Sequence, residues 1–134
     1  MSAFTKISIA DVQDMAASHG LSPDMEGRFA KQALGLEKTG VSFQRLAPNF
    51  RMPFGHNHAE QEEVYVILEG GGRMKLDDEI IDVARHDFIR VAGPTMRAFE
   101  AGDSGLTLMA FGAPTSASAS PGADSEVVQE WWTD

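Results

Sequence analysis

The sequence predicts a mostly β protein, built as a small barrel or a sandwich of short strands. Thirteen glycines and six prolines divide the 134 residues at short intervals, which suits many short strands joined by tight turns. From residue 41 onward, strand patterns alternate with turn sequences, and little helix is predicted after residue 40. A chain of this length most simply forms one domain around a single hydrophobic core.

The N-terminal arm, residues 1–35, carries the helical signals. Ser8 is a suitable N-cap for a short helix that ends at Gly20. Between Met25 and Leu36 the apolar spacing approximates a helix, but two glycines weaken that assignment. The prediction for the arm is therefore a short helix followed by a segment of undecided structure.

The predicted barrel domain covers residues 36–114. Asp77-Asp78-Glu79 is predicted to be a hairpin loop, and Gly93-Pro94 breaks a later strand. Gly70-Gly71-Gly72 lacks the pattern of a phosphate-binding loop and is interpreted as a bend or bulge. The strands predicted between these turns are 41–46, 50–54, 63–69, 73–76, 80–83, 88–91, 96–100 and 106–111.

The C-terminal segment, residues 115–134, has two parts. Thr115 to Asp124 is rich in Ser, Ala, Gly and Pro, a composition typical of a linker. Near the end of the chain stand two adjacent tryptophans, Trp131 and Trp132. Large apolar rings in such a place indicate docking on an apolar surface, of the same subunit or of a neighbour. The linker is therefore expected to lead into a docked tail.

Charge and composition exclude several classes of function. The net charge of −9 argues against nucleic acid or an anionic membrane surface as a partner. The sequence has no cysteine, so neither a disulfide framework nor thiolate chemistry is available. The first residues do not resemble a signal peptide, and no apolar run reaches membrane-spanning length. We therefore expect a cytoplasmic protein that binds neither nucleic acid nor membranes.

The strongest chemical signal is the pair His56 and His58, followed closely by Glu62 and Glu63. In extended backbone, side chains two residues apart point to the same face, so both imidazoles can converge on one point. Imidazole nitrogens and one carboxylate form a ligand set for a divalent transition metal. The sequence therefore predicts a metal site here.

The spacing around these histidines resembles the first conserved motif of the cupin superfamily: His56-x-His58, four residues, Glu63, six residues and Gly70. Both the distance to Gly70 and the alternation of strand side chains select Glu63, not Glu62, as the inward acid. The resemblance extends over roughly residues 41–114. It implies a small single-domain bacterial cupin of the conserved-barrel type, with a double-stranded β-helix (jelly-roll) barrel and a short N-terminal helical segment.

The resemblance also has implications for partners. Members of the superfamily bind small molecules in the barrel, which implies a small-molecule pocket in this chain. Cupins of this size commonly form homodimers, and the exposed edges of an open barrel give a physical motive for association. A homodimer is therefore expected from the resemblance.

The segment that begins at His86 resembles the second cupin motif in outline but departs from it at the functional position. His86 replaces a glycine of that motif, and Arg97 stands where the third metal-binding histidine would be. A guanidinium stays protonated and has no free lone pair, so Arg97 is not a metal ligand. The resemblance thus implies a ligand set reduced to the two histidines and Glu63.

Two functions of different classes remain open. In the first, the reduced set holds Fe, Zn, Mn, Ni or Co, and Arg97 binds a small anionic substrate of an oxygenase or isomerase. In the second, the protein is a metal-free binding or sensing module in which Arg97 pairs with Glu63. A buried guanidinium beside a metal ion is costly unless an anion lies between them. In both cases Tyr65 and Phe99 are expected to line the barrel, where such residues either fill the core or shape the ligand pocket, and Tyr65 could assist proton transfer in the enzyme.

Overall fold

The chain folds into one curled antiparallel sheet. The computed structural model describes residues 3–114 and 124–134. Within these ranges the helical elements are a 3-10 turn at Ile9–Asp11, α1 (Met15–Ser18) and α2 (Lys31–Leu34). None of the helices in the described part of the chain is long and apolar enough to cross a membrane. The strands are β1 (Met25–Phe29), β2 (Gly40–Leu46), β3 (Phe54–His58), β4 (Glu63–Leu76), β5 (Glu79–Ala84), β6 (Phe88–Val91), β7 (Arg97–Gly112) and β8 (Ser125–Gln129).

Strand β7 is the centre of the sheet. It pairs with β2, β3 and β4, while β1 extends the sheet beyond β2 and β8 extends it beyond β3. Strand β4 also pairs with β5 and β6. The curled sheet encloses a single apolar core, in which Tyr65, Ile67, Met74, Phe99 and Leu108 are almost fully buried. This jelly-roll barrel confirms the mostly β fold that the turn spacing predicted and the barrel type that the resemblance implied.

The two longest strands each join a pair of predicted ones. The predicted strands 63–69 and 73–76 are the two halves of β4, and 96–100 and 106–111 are the two halves of β7. The register of β4 against β7 shifts twice, between Ile67 and Glu69 and between Gly70 and Gly72. The glycine run is therefore a β-bulge, as interpreted from the sequence, and it bends a continuous strand instead of ending it.

The N-terminal helical segment consists of separate single turns, so the prediction of one helix from Ser8 to Gly20 is wrong in extent. Ser8 caps the 3-10 turn, where its Oγ accepts a hydrogen bond from Ala10 N at 3.3 Å. Asp14 caps α1, and its Oδ1 also accepts from Gly27 N of β1 at 2.9 Å. This link to the sheet explains why a new turn starts at Asp14.

The segment of undecided structure that follows divides between two elements. Its first half is β1, which pairs with β2 in a regular antiparallel register from Met25 to Phe29. Its second half contains α2, which ends at Gly35 in the left-handed conformation, with φ of 71°. Pairing with β2 decides the structure of the first half, because the local sequence leaves it open.

The C-terminal strand completes the wall of the barrel. Strand β8 pairs along the whole of β3, and Trp131 packs on Gly55, where a Cβ atom would lie 2.5 Å from the indole ring. Trp132 is 4% exposed and belongs to the core. The predicted linker, Thr115 to Asp124, lies outside the described residues except for Asp124.

The strand predicted at 50–54 is wrong in position. Within that range Arg51 forms only an isolated bridge to Glu100, and the strand β3 starts at Phe54 and runs to His58. Pro53 precedes it and cannot donate a backbone hydrogen bond to a ladder. The shift matters for function, because β3 carries both histidines.

Candidate metal centre

The side chains of His56, His58 and Glu63 meet at one end of the barrel. Their potential ligand atoms all lie within 4.8 Å of one another. Glu63 Oε1 lies 3.5 Å from His56 Nε2 and 3.4 Å from His58 Nε2. The two imidazole rings stand edge to face, with centroids 5.2 Å apart. The alternation of side chains along β3 and the start of β4 thus brings together the three residues selected from the sequence.

This arrangement fits a divalent transition metal. Metal bonds of about 2.0–2.2 Å to nitrogen and oxygen place neighbouring ligand atoms about 3–3.5 Å apart, close to the two separations between Glu63 Oε1 and the imidazole nitrogens. Both ring nitrogens of His58 are buried, and neither makes a hydrogen bond within the described residues. The donor set of two imidazoles and one carboxylate is one that Fe, Zn, Mn, Ni and Co accept.

Of the two neighbouring acids, Glu63 is the inward one. Its side chain is 13% exposed, whereas Glu62 faces solvent and pairs with Arg90 at 3.3 Å. Glu63, the first residue of β4, therefore points inward and Glu62, the residue before it, points outward, as expected from the sequence.

The side chains around Glu63 keep its carboxyl group ionised, and Tyr65 is one of them. Its hydroxyl donates to Glu63 Oε1 at 2.7 Å. Burial raises the pKa of Glu63, but the contacts from His56, His58 and Tyr65 outweigh it and hold that pKa well below its usual range. Burial, together with the charge of Glu63, raises the pKa of Tyr65 well above its ordinary value. Glu63 is therefore an ionised carboxylate, ready as a ligand, beside a neutral phenol.

Phe99 supports Tyr65 from the side. The two rings pack edge to face with centroids 5.1 Å apart, and each residue is 1% exposed. Phe99 has no polar atom to offer, so its contribution is to hold the Tyr65 ring and keep water from it.

Arg97 lies opposite His56 in the register between β3 and β7 and is 1% exposed. Its Nη2 donates to the carbonyl of Ala92 at 3.0 Å, and its Nη1 lies 3.6 Å from Glu63 Oε1. Among the described residues, Nε and Nη1 have no hydrogen-bond acceptor. A buried guanidinium with two open donors is costly, so this geometry favours an anion beside it.

Asp124 belongs to the site although sequence reasoning missed it. Its Oδ2 lies 3.4 Å from His58 Nδ1. The residue stands at the end of the predicted linker, far along the chain from His58. No local spacing pattern could have found it, because only the pairing of β8 with β3 brings it there.

Comparison with known proteins identifies the fold. Neither a protein-family model nor a curated protein sequence matches the chain, but solved structures do. A cupin protein from Bacteroides fragilis has 23% sequence identity over 90% of this chain and 92% of its own, with a TM-score of 0.70. A sugar phosphate isomerase of the cupin superfamily from Silicibacter pomeroyi has 21% identity over 83% of this chain and 76% of its own, with a TM-score of 0.64.

A third neighbour is a point mutant of the oxalate decarboxylase of Bacillus subtilis. It has 20% identity over 94% of this chain and 32% of its own, with a TM-score of 0.73. The protein is thus a jelly-roll barrel with a candidate metal centre at one end. Its fold is that of the cupin superfamily, as the resemblance implied.

Proposed function

We propose that this protein binds a divalent transition metal and acts on a small anionic molecule, as an oxygenase or an isomerase. The observation that carries the proposal is the convergence of three ligand atoms, from His56, His58 and Glu63, within 4.8 Å. A bound metal would supply Lewis acidity toward a substrate oxygen and, for iron, redox chemistry. Two structural neighbours are named for anionic small molecules, a sugar phosphate and oxalate, which supports the same class of ligand here.

In this proposal Arg97 binds the anion. Its Nε and Nη1 have no hydrogen-bond acceptor among the described residues, and each can donate a charge-assisted hydrogen bond to an oxygen of a carboxylate or phosphate. An anion there also separates the guanidinium from the metal and so offsets the repulsion between two cations. Tyr65 holds its proton at the hydroxyl that faces Glu63, and Phe99 keeps the surroundings dry.

A second function is favoured by a specific contact. Arg97 Nη1 lies 3.6 Å from Glu63 Oε1, and Tyr65 donates to the same oxygen at 2.7 Å. The carboxylate thus has cationic and hydrogen-bond partners without a metal. In this alternative the protein is a metal-free module that binds or senses a small ligand, and Arg97 with the histidines organises its pocket.

Metal content tests the proposed function. Purified protein reconstituted with Fe, Mn, Ni or Zn is expected to retain about one metal ion per chain, measured by elemental analysis after removal of free metal. The double variant His56→Ala, His58→Ala is expected to retain none. His86→Asn is the matched control, because His86 is an exposed histidine with a positive φ that asparagine tolerates. A wild type without metal after all four reconstitutions would favour the metal-free module.

The homodimer stays a prediction, as does the cytoplasmic location. Exposed aromatic side chains support the homodimer, because Phe88 and Phe111 are 74% and 44% exposed on β6 and β7, the two strands that pair with the same part of β4. Exposed apolar side chains of this size favour association. Sedimentation equilibrium is expected to give a dimer for the wild type and a monomer for the double variant Phe88→Glu, Phe111→Glu. A monomeric wild type at micromolar concentration would contradict the prediction.

A further inference from the structure

We infer that Asp124 is a positioning residue that orients His58, so that Nε2 of that ring faces the metal. The inference rests on the proposed function and adds a residue outside the three-ligand set. Its basis is the contact of 3.4 Å between Asp124 Oδ2 and His58 Nδ1, in which both side chains are 13% exposed or less.

The carboxylate of Asp124 is itself held by backbone groups. Oδ1 accepts from Glu60 N at 2.9 Å, and Oδ2 accepts from Gln61 N at 3.1 Å. The main-chain carbonyl of Asp124 accepts from Ala59 N at 2.8 Å. These contacts attach Asp124 to the loop that follows His58, and the carboxylate therefore keeps a fixed position relative to the imidazole.

His58 lies between two carboxylates. Asp124 is on its Nδ1 side, and Glu63 is on its Nε2 side at 3.4 Å. A neutral imidazole carries one proton, and the nitrogen that holds it is set by the stronger acceptor beside the ring. When Asp124 accepts from Nδ1–H, the lone pair of Nε2 points toward Glu63 and is free to bind a metal. Carboxylates in this relation to a ligating histidine fix its tautomer and its ring orientation.

The topology explains how a residue so distant in sequence reaches the site. Strand β8 pairs antiparallel with β3, so that Ser125 lies opposite His58 and Val127 opposite His56. Asp124 immediately precedes β8 and therefore stands at the end of β3 where His58 lies. The same pairing that closes this wall of the barrel delivers the carboxylate.

The isosteric variant Asp124→Asn tests the inference. It removes the charge but keeps an oxygen that can accept from a backbone N–H. Competition with a chromophoric chelator is expected to show Zn²⁺ affinity roughly 10–100-fold weaker than in the wild type. Asp14→Asn is the matched control, since Asp14 also accepts from two backbone N–H groups, of Ala16 and Gly27. The Zn²⁺ affinity of this control variant is expected to equal that of the wild type.

A second measurement separates positioning from a loss of structure. In the metal-free protein, at a pH where the imidazole is neutral, nitrogen-15 NMR reports the tautomer of His58. Asp124→Asn is expected to shift His58 from the Nδ1–H form toward the Nε2–H form, because Glu63 becomes the stronger acceptor. Glu63→Gln is expected to shift the tautomer of His58 toward the Nδ1–H form.

The outcomes are distinct. Weaker Zn²⁺ binding together with the tautomer shift supports the inference. Zn²⁺ affinity within about threefold of the wild type, or weaker binding with an unchanged tautomer, overturns it. If the wild type binds no metal, the proposed function fails, and the tautomer measurement still decides whether Asp124 orients His58.

Discussion

Trp132→Ala is expected to lower the free energy of unfolding by about 3–5 kcal/mol, as for other buried aromatic side chains truncated to alanine. Trp132 is 4% exposed and packs in the core. Its ring also lies under Arg51, whose Cζ is 4.5 Å from the ring centroid, and its Nε1 donates to Asp134 Oδ1 at 2.6 Å. The substitution therefore removes apolar burial, a cation–π contact and a hydrogen bond together.

Denaturant unfolding followed by circular dichroism measures this loss. Phe4→Ala serves as the control, because Phe4 is 78% exposed and its truncation is expected to change the free energy of unfolding by less than about 0.5 kcal/mol. A loss below about 1 kcal/mol for Trp132→Ala would mean that the C-terminal tail is not an integral part of the core.

Arg97→His is expected to raise Zn²⁺ affinity by at least about tenfold, which corresponds to about 1.4 kcal/mol. The change removes a buried cation whose Nη1 lies 3.6 Å from the carboxylate oxygen proposed as a ligand. Two unit charges about 4 Å apart interact by about 4 kcal/mol at an effective dielectric constant of about 20, so even a partly screened guanidinium opposes the metal. The new imidazole also supplies a nitrogen where the second cupin motif has its histidine.

The variant Arg97→Met separates the effect of removing the guanidinium charge from the effect of adding an imidazole ligand. It removes the charge without adding a ligand, so its Zn²⁺ affinity is expected to lie between those of the wild type and Arg97→His. Both variants are expected to lose binding of oxalate or inorganic phosphate, measured by isothermal titration calorimetry on the Zn²⁺-loaded protein. Arg90→Met is the control, because Arg90 is an exposed arginine paired with Glu62. Weaker Zn²⁺ binding by Arg97→His than by the wild type would show that the guanidinium does not oppose the metal.

The sequence identifies the fold and the inward acid because both depend on short-range patterns. Alternation with a period of two residues separates Glu63 from Glu62, and turn residues at close spacing mark the strands. The predicted strand ends fail where glycines form a bulge, as at Gly70–Gly72, because a bulge and a turn share the same residue types. The segment Phe54–His58 has only one strong strand former, Phe54, and its strand structure comes mainly from pairing with β8.

Two features of the candidate site lie beyond such patterns. The contact between Asp124 and His58 depends on the pairing of distant strands, which no spacing rule reports. The open donors of Arg97 depend on which carbonyls and carboxylates surround a buried guanidinium. The sequence shows that an arginine replaces a histidine, whereas the surroundings of its donors follow only from the folded barrel.

The pairing of β8 with β3 also has a kinetic consequence. The hydrogen bond from Glu60 N to Asp124 joins residues separated by 64 positions, and closing such a long loop costs chain entropy before its contacts form. Contacts of this range slow folding in β barrels. In a partly folded chain, the side chains of both histidines and Glu63 can therefore already lie together before Asp124 reaches His58. The rate of metal uptake during refolding would then report when this last wall of the barrel closes.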